Sequence, residues 1–232
     1  MNILVTGGTK GIGRAIVDSL DGNIHVAARN EELLKGFDNY CVCDLSTETG
    51  MIKLGDYIEN NKIDVLINNA GVYQYSPLDK SLKPSDIAYS LKLNLEAPIY
   101  LASRAIPNMK AQKFGRIINI GSISGVMGEA YASIYSATKA GLIGMSKALA
   151  LELAEYNITV NVINPGWVET ELGNQSVDDS EFSKEELIDC IPQKRFIEPV
   201  EIANLIKYLI SKEAKGLTGQ SINLCAGLSV GY

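Results

Sequence analysis

The amino-acid sequence predicts an α/β protein, in which helices cover both faces of a doubly wound parallel sheet of about seven strands. Short apolar runs alternate with longer amphipathic stretches along the chain, which is the pattern of strands joined by crossover helices. The short runs are almost continuously apolar, as expected for strands that are buried on both faces. With 232 residues, 46% of them hydrophobic, the chain can form one compact domain spanning residues 1–232.

Seven segments have the length and composition of buried strands. They are Asn2–Thr6, Ile24–Ala28, Asn39–Cys43, Val65–Asn68, Arg116–Ile120, Thr159–Ile163 and Ser221–Leu224. Helical periodicity marks the regions between them, near residues 12–20, 47–60, 85–110, 133–155 and 199–210. Right-handed crossovers would place the carboxyl ends of the strands along one edge of the sheet, where such proteins bind ligands. We therefore expect functional residues to follow directly after strands.

The stretch 171–198 departs from this alternation, because it is long and polar and has only a short helical pattern near Ser183–Cys190. Long insertions in a compact domain are often lids over a ligand site. A solvated surface excursion explains the same composition equally well. We predict a substrate lid at 171–198 and keep the surface excursion as the alternative.

Composition and charge disfavour several classes of protein. The net charge of −6 argues against nucleic acid as a partner. No apolar run approaches the ~20 residues that cross a membrane. The four cysteines, at positions 41, 43, 190 and 225, match neither a disulfide framework nor a zinc site. This cysteine pattern leads us to expect no bound metal and a reducing compartment. Because no charged and apolar leader opens the chain, we expect that compartment to be the cytoplasm.

A glycine-rich turn, TGGTKGIG at residues 6–13, follows the first strand and opens the first helix. Glycines let the backbone approach a pyrophosphate, and the free N–H groups and dipole of the helix amino terminus attract its charge. The spacing differs from G-x-G-x-x-G, but this position in an alternating pattern favours a dinucleotide. The residues of the turn expected to bind it are Gly7, Thr9, Lys10, Gly11, Ile12 and Gly13.

The end of the second strand indicates which dinucleotide binds. An acidic residue at this point would hold the ribose 2′-hydroxyl of NAD, whereas an arginine would accept the 2′-phosphate of NADP. The strand ends in Ala28-Arg29-Asn30, without an acid, and Lys10 adds a second cation in the glycine turn. Because a phosphate dianion prefers cations, the sequence predicts NADP(H) as the cofactor. Arg29 as a merely solvated charge is the alternative.

Tyr135 and Lys139 lie four residues apart in the sequence YSATK, so that they share one face of a predicted helix. A phenol titrates near ~10, and a neighbouring ammonium stabilises the phenolate and lowers that pKa. Tyr135 would then donate a proton to a carbonyl that receives a hydride, or take one in the reverse reaction. Such pairs also occur by chance on exposed helices.

Neighbouring residues favour the catalytic interpretation. Ser122 follows the strand Arg116–Ile120, where its hydroxyl could hydrogen-bond a substrate carbonyl. Asn69 follows the strand Val65–Asn68 at the same predicted edge. Asn94 lies inside a helical pattern, although asparagine is a poor residue there, so we expect it to bond backbone or water.

These pieces together resemble the short-chain dehydrogenase/reductase family from end to end. The matching stretches are TGGTKGIG at 6–13, CDLS at 43–46, NNAG at 68–71, LNL at 93–95, GSIS at 121–124, YSATK at 135–139 and NPGWVET at 164–170. Each stretch is modest alone, but their order and spacing are very specific.

The resemblance implies roles for individual residues. Ser122, Tyr135 and Lys139 would be catalytic, with Asn94 supporting a water relay to Lys139, which would also hold the nicotinamide ribose. Asp44 and Leu45 would flank the adenine. The remaining contacts to the cofactor would come from Asn69, Val168 and Thr170.

Within this family the chain is most similar to the 3-oxoacyl-(acyl-carrier-protein) reductases, which implies a ketone substrate carried on acyl carrier protein. Those reductases dock the carrier with two basic residues, of which Lys113 matches one and Tyr156 replaces the other. The alternatives are a ketone reductase for a small free substrate and, less favoured, a non-catalytic NADP(H)-binding regulator. The catalytic helix carries small residues such as Gly144. Relatives in this family pair this helix across a subunit interface, so the resemblance implies a homotetramer.

Overall fold

Among the residues that the structure describes, 1–78, 82–178 and 182–230 of a computed structural model, seven strands form one parallel sheet. The strands are β1 (Asn2–Thr6), β2 (Asn23–Ala28), β3 (Asn39–Val42), β4 (Val65–Asn68), β5 (Gly115–Ile120), β6 (Ile158–Pro165) and β7 (Ser221–Leu224). Their order in the sheet is β3-β2-β1-β4-β5-β6-β7. The predicted fold class is confirmed, and each predicted strand lies within two residues of its observed limits.

Helices cover both faces of this sheet. They are α1 (Gly11–Ser19), α2 (Glu48–Asn60), α3 (Pro84–Leu91), α4 (Ala97–Gln112), α5 (Ser124–Met127), α6 (Ser133–Leu153), α7 (Glu171–Asp178), α8 (Lys184–Cys190) and α9 (Pro199–Leu209). The side chains of α1 and α9 form one half of the core around Ile16 and Ile206. Those of α2, α4 and α6 form the other half around Leu54 and Leu101. None of the helices in the described ranges is long and apolar enough to cross a membrane.

The strand order reverses between β1 and β4, and this reversal creates the crevice in which such sheets bind ligands. The two strands are paired in register, with Val5 opposite Ile67. Beyond their ends the Thr6 hydroxyl accepts hydrogen bonds from the backbone N–H groups of Asn69 and Ala70, at 3.0 Å each. The turn after β1 is therefore fixed against the turn after β4.

The helical region predicted at 85–110 is not continuous. A π-helical turn over Lys92–Glu96 separates α3 from α4, and the N–H of Ala97 bonds to the carbonyl of Lys92. The cause is visible at Asn94, whose side chain accepts from the N–H of Val72 at 2.8 Å and donates to the carbonyl of Val72 at 2.9 Å. These two hydrogen bonds hold the buried Asn94 side chain against the backbone of Val72, and the helix widens to a π-helical turn around it.

The polar stretch 171–198 contains more structure than the sequence predicts, since α7 precedes α8. The ends of the stretch are joined, because Val168 forms a parallel bridge with Ile197. The N–H of Glu169 bonds to the carbonyl of Ile197 at 2.9 Å, which fixes the segment beside β6. Residues 179–181 of the predicted lid lie outside the described residues.

Candidate active site

A cavity of about 660 Å³ opens at the carboxyl ends of the strands, at the point where the strand order reverses between β1 and β4. The turns after β1, β2, β4, β5 and β6 contribute to its wall, together with α6 and α7. Every predicted site residue except Asn94 lines it. These residues are Gly7, Thr9, Lys10, Gly11, Ile12, Gly13, Arg29, Asp44, Leu45, Asn69, Ser122, Tyr135, Lys139, Val168 and Thr170.

The turn after β1 has the features of a phosphate-binding site. Gly7 and Gly11 adopt left-handed backbone conformations, with φ of +66° and +54°. A Cβ atom at Gly13 would lie 2.2 Å from the carbonyl oxygen of Gly7, so only glycine fits there. Helix α1 has no side-chain cap and no acidic residue in its first turn, which leaves its amino-terminal N–H groups available to an anion.

The end of the cavity beside β2, where the sequence predicts the adenosine of the cofactor, is called the adenosine end and contains a free cation. Arg29 lies exposed after β2, and no hydrogen bond or ion pair ties its guanidinium to a described residue. Lys10, the second predicted cation, is paired with Glu171, with 2.6 Å between Nζ and Oε2. Both partners of this pair are exposed, so that an incoming phosphate can compete for the ammonium. Arg29 is therefore the better placed of the two predicted phosphate ligands.

Ser122 and Tyr135 lie together in the wall of the cavity. Ser122 follows β5, and its hydroxyl donates to the hydroxyl of Ser124 at 3.0 Å. The ring of Tyr135 contacts that of Tyr73 edge to face, with centroids 5.3 Å apart. The sequence-based expectation that this phenol has a lowered pKa is wrong for the ligand-free chain. Burial raises the pKa of Tyr135 to about 12, and the nearby Ser122 hydroxyl, which acts to lower it, does not offset the burial.

Lys139 is buried beside this tyrosine, one helical turn further along α6. Its Nζ donates to the carbonyl of Ile120 at 2.8 Å and lies 5.5 Å from the ring centroid of Tyr135. Because burial disfavours the ammonium, the pKa of Lys139 is lowered to about 8. The lysine is thus held by the end of β5 beside the phenol, and a pKa of about 8 keeps it largely charged at neutral pH.

Asn94 does not line the cavity, and its side-chain amide makes one accepting and one donating hydrogen bond with Val72. Asn94 and Lys139 both lie beside Gly71. A Cβ atom added at Gly71 would be 3.1 Å from Asn94 Oδ1 and 3.5 Å from Lys139 Nζ, so the two side chains are close to each other. The water relay that the family resemblance implies stays a prediction.

Asn69, another predicted cofactor ligand, also has a structural task. Its side-chain nitrogen donates to the carbonyls of Thr6 and Gly7, at 2.9 and 3.2 Å. The amide thereby fixes the glycine turn, and only its remaining oxygen is available to a ligand.

Glu129 is a residue of the site that the sequence does not single out. It lines the cavity six residues before Tyr135, in the loop between α5 and α6. Its carboxylate accepts hydrogen bonds from the hydroxyls of Ser124 and Tyr73. The only signal in the sequence that could have indicated Glu129 is that a charged residue lies between the catalytic candidates Ser122 and Tyr135.

Two aromatic residues complete the comparison with the sequence. His25, the single histidine of the sequence, is buried in β2 and shares a hydrogen bond of 2.8 Å with Tyr57, away from the cavity. Trp167 lines the cavity and also stacks on Phe196. In the described part of the chain, no group of His, Cys, Asp and Glu side chains could hold a metal ion.

Comparison with known proteins identifies the family. Residues 1–181 match the family model for short chain dehydrogenases. The chain belongs to the short-chain dehydrogenase/reductase family. This dehydrogenase is accordingly an NAD(P)-dependent oxidoreductase, which confirms the predicted family and cofactor class.

Relatives of the dehydrogenase carry several different names. It is 37% identical to a 3-oxoacyl-[acyl-carrier-protein] reductase of Rickettsia bellii, over 97% of this chain and 95% of the relative. It is 39% identical to a tropinone reductase homolog of Arabidopsis thaliana, over 98% of this chain and 91% of the relative. Among solved structures, actinorhodin polyketide ketoreductase with NADPH is similar, with a TM-score of 0.89, 32% identity and coverage of 99% and 97% of the two chains.

Proposed function

We propose that this dehydrogenase reduces a ketone to a secondary alcohol with NADPH. The observation that carries the proposal is the convergence of Ser122, Tyr135 and Lys139 in the wall of a cavity that also contains the glycine turn. When bound, the nicotinamide supplies a hydride to the carbonyl carbon. The chain must then supply orientation, an oxyanion partner and a proton.

Tyr135 is the proposed proton donor. Its raised pKa keeps the phenol protonated throughout the neutral range, which is the state required for donation during reduction. Ser122 can rotate its hydroxyl from Ser124 toward a substrate oxygen and stabilise the negative charge that develops there. Lys139, held by the Ile120 carbonyl, places a positive charge behind the phenol and favours release of its proton.

NADP(H) is the proposed cofactor because the adenosine end carries Arg29 and no acid at the tip of β2. A solved structure with NADPH in its title is similar over almost the whole chain. Asp44 supports a binding surface for the adenine, since its carboxylate is fixed by the N–H and hydroxyl of Ser46, at 2.9 and 2.7 Å. Val168 and Thr170 would hold the nicotinamide amide at the other end.

Two substrate classes follow from different observations. The relatives named as acyl-carrier-protein reductases favour a 3-oxoacyl thioester. Lys113 and Tyr156, the two carrier-docking positions, flank the amino ends of β5 and β6, on the opposite edge of the sheet from the cavity. A carrier bound at those positions would lie about 20 Å of strand away from the same chain's catalytic residues. This geometry favours a small free ketone unless a neighbouring subunit supplies the docking surface.

Assembly and closure complete the proposal. The outer face of α6 exposes Ala140, Gly144 and Ala148, with Leu151 85% exposed, as expected for a face that packs against a second copy in a cytoplasmic homotetramer. We further propose that 171–198 closes over the substrate, since Leu172 and Ser176 of α7 already line the cavity. Light scattering that gives the mass of a monomer would contradict the assembly.

The direct test is NADPH oxidation with acetoacetyl thioester and then with a panel of free ketones. Turnover of the thioester alone would support the carrier-linked substrate, whereas turnover of free ketones alone would support the small-substrate reductase. Binding of NADPH without turnover of any ketone or alcohol would favour a regulator. The intact set of Ser122, Tyr135 and Lys139 argues against that last outcome.

A further inference from the structure

Glu129 places an unneutralised carboxylate in the part of the cavity where the substrate reacts. It lines the same cavity as Ser122 and Tyr135, and the hydroxyl of Ser124 links it to Ser122, since that hydroxyl accepts from Ser122 at 3.0 Å and donates to Glu129. None of the ion pairs among the described residues includes Glu129. Of the cations that line this cavity, Lys139 donates to the carbonyl of Ile120 and Lys10 pairs with Glu171, so neither is bonded to Glu129.

The position of this carboxylate is fixed. One oxygen accepts from the hydroxyl of Ser124 and the other from that of Tyr73, the latter at 3.1 Å. The loop that carries it is tied to the segment after β4, because the N–H of Ser76 donates to the carbonyl of Tyr131 at 2.6 Å. A carboxylate held this way meets a ligand without reorganising.

The hydrogen-bonding capacity of Glu129 is only half used. A carboxylate has about four acceptor positions, and the two hydroxyls occupy two of them. Both partners are neutral donors, so they leave the negative charge uncompensated. A ligand that supplies a donor with positive charge would form the stronger, charge-assisted bond.

We propose that Glu129 is a specificity-determining residue that selects ketones carrying a protonated amine near the carbonyl. The inference rests on the proposed ketone reduction and names the class of substrate for that site. The amine donates to the free side of the carboxylate, while the carbonyl oxygen faces Ser122 and Tyr135. Ketones with a nearby carboxylate are disfavoured by the same charge.

A matched pair of cyclic ketones tests this selection. N-methyl-4-piperidone carries a protonated amine, and 4-methylcyclohexanone has the same shape without the charge. For the wild-type enzyme we expect kcat/KM to favour the piperidone by about tenfold or more, the value of a charge-assisted hydrogen bond. In Glu129→Gln, which keeps the size of the side chain and an acceptor oxygen, that ratio falls toward one.

Glu48→Gln is the control, because it makes the same change of charge at an exposed position on α2, outside the cavity. It should keep the wild-type ratio. Thermal unfolding of both variants shows whether each is folded.

Calorimetry makes the test independent of turnover. The two ketones are titrated into the complex with NADP⁺, for the wild type, Glu129→Gln and Glu48→Gln. Tighter binding of the piperidone that is lost only in Glu129→Gln supports the proposal, even if neither ketone is reduced. Equal affinities for the two ketones in the wild type, or a preference that survives in Glu129→Gln, overturns it. Failure of every ketone to be reduced counts instead against the proposed function.

Discussion

Replacement of Tyr135 by phenylalanine removes one hydroxyl from the proposed proton donor and leaves the rest of the site in place. The edge-to-face contact with Tyr73 and the position of the ring beside Lys139 do not depend on the hydroxyl. Loss of its interaction with the nearby Ser122 hydroxyl costs at most about 1 kcal/mol of folding stability. Loss of general acid catalysis lowers kcat by about 10²–10⁴.

The assay follows NADPH oxidation under saturating ketone, with NADPH affinity measured separately by its fluorescence. We expect a large fall in kcat at an almost unchanged dissociation constant for NADPH, since the glycine turn is untouched. Tyr57→Phe is the matched control. It removes a hydroxyl that is hydrogen-bonded to His25 at 2.8 Å, outside the cavity, and should cost similar stability with normal turnover.

Turnover of Tyr135→Phe at the wild-type rate would show that another group supplies the proton. An equal loss in Tyr57→Phe would show that reduced stability, and not missing chemistry, explains the effect.

Three further changes test the cofactor site and the buried lysine. Gly13→Ala places a methyl group 2.2 Å from the carbonyl oxygen of Gly7, so NADPH affinity should fall by more than about tenfold in a fluorescence titration. Gly36→Ala is the control, because Gly36 has open space around it. Arg29→Ala should weaken NADPH binding by about tenfold and leave NADH binding unchanged, and an equal loss for both would contradict phosphate recognition. Because burial lowers the pKa of Lys139 to about 8, the unfolded chain holds more protons than the folded one between about pH 8 and 10. Urea unfolding should therefore show a ligand-free stability that rises with pH in this window, and a rise of the same size in Lys139→Met would exclude the lysine as its source.

The sequence predicts the sheet well because buried parallel strands are short apolar runs with little ambiguity. The limits of β1, β4 and β7 agree with the prediction at both ends. The π-helical turn at Lys92–Glu96 could not be predicted, since five residues with a wider turn have almost the same apolar spacing as an α-helix. Its cause, the bond between Asn94 and Val72, connects residues far apart in the chain.

The chemistry of the site depends on burial, which sequence spacing does not measure. The spacing of Tyr135 and Lys139 predicts a shared helix face, and the structure places both in the cavity wall. The predicted direction of the pKa shift of Tyr135 is wrong for the ligand-free chain, because burial raises this pKa. The role of Glu129 could not be predicted from the sequence, because a charged residue in a loop is usually solvated and only the fold brings Ser124 and Tyr73 to its carboxylate.

The proposed mechanism requires one cavity to join the phosphate-binding turn to a phenol that protonates the substrate. A crystal structure of the complex with NADP⁺ is the decisive experiment for this mechanism. We expect the pyrophosphate at the amino terminus of α1 and the reactive carbon of the nicotinamide facing the hydroxyl of Tyr135, with Lys139 bonded to the ribose. A nicotinamide that points away from that hydroxyl, with the amine of Lys139 bonded to neither ribose nor phenol, would contradict it.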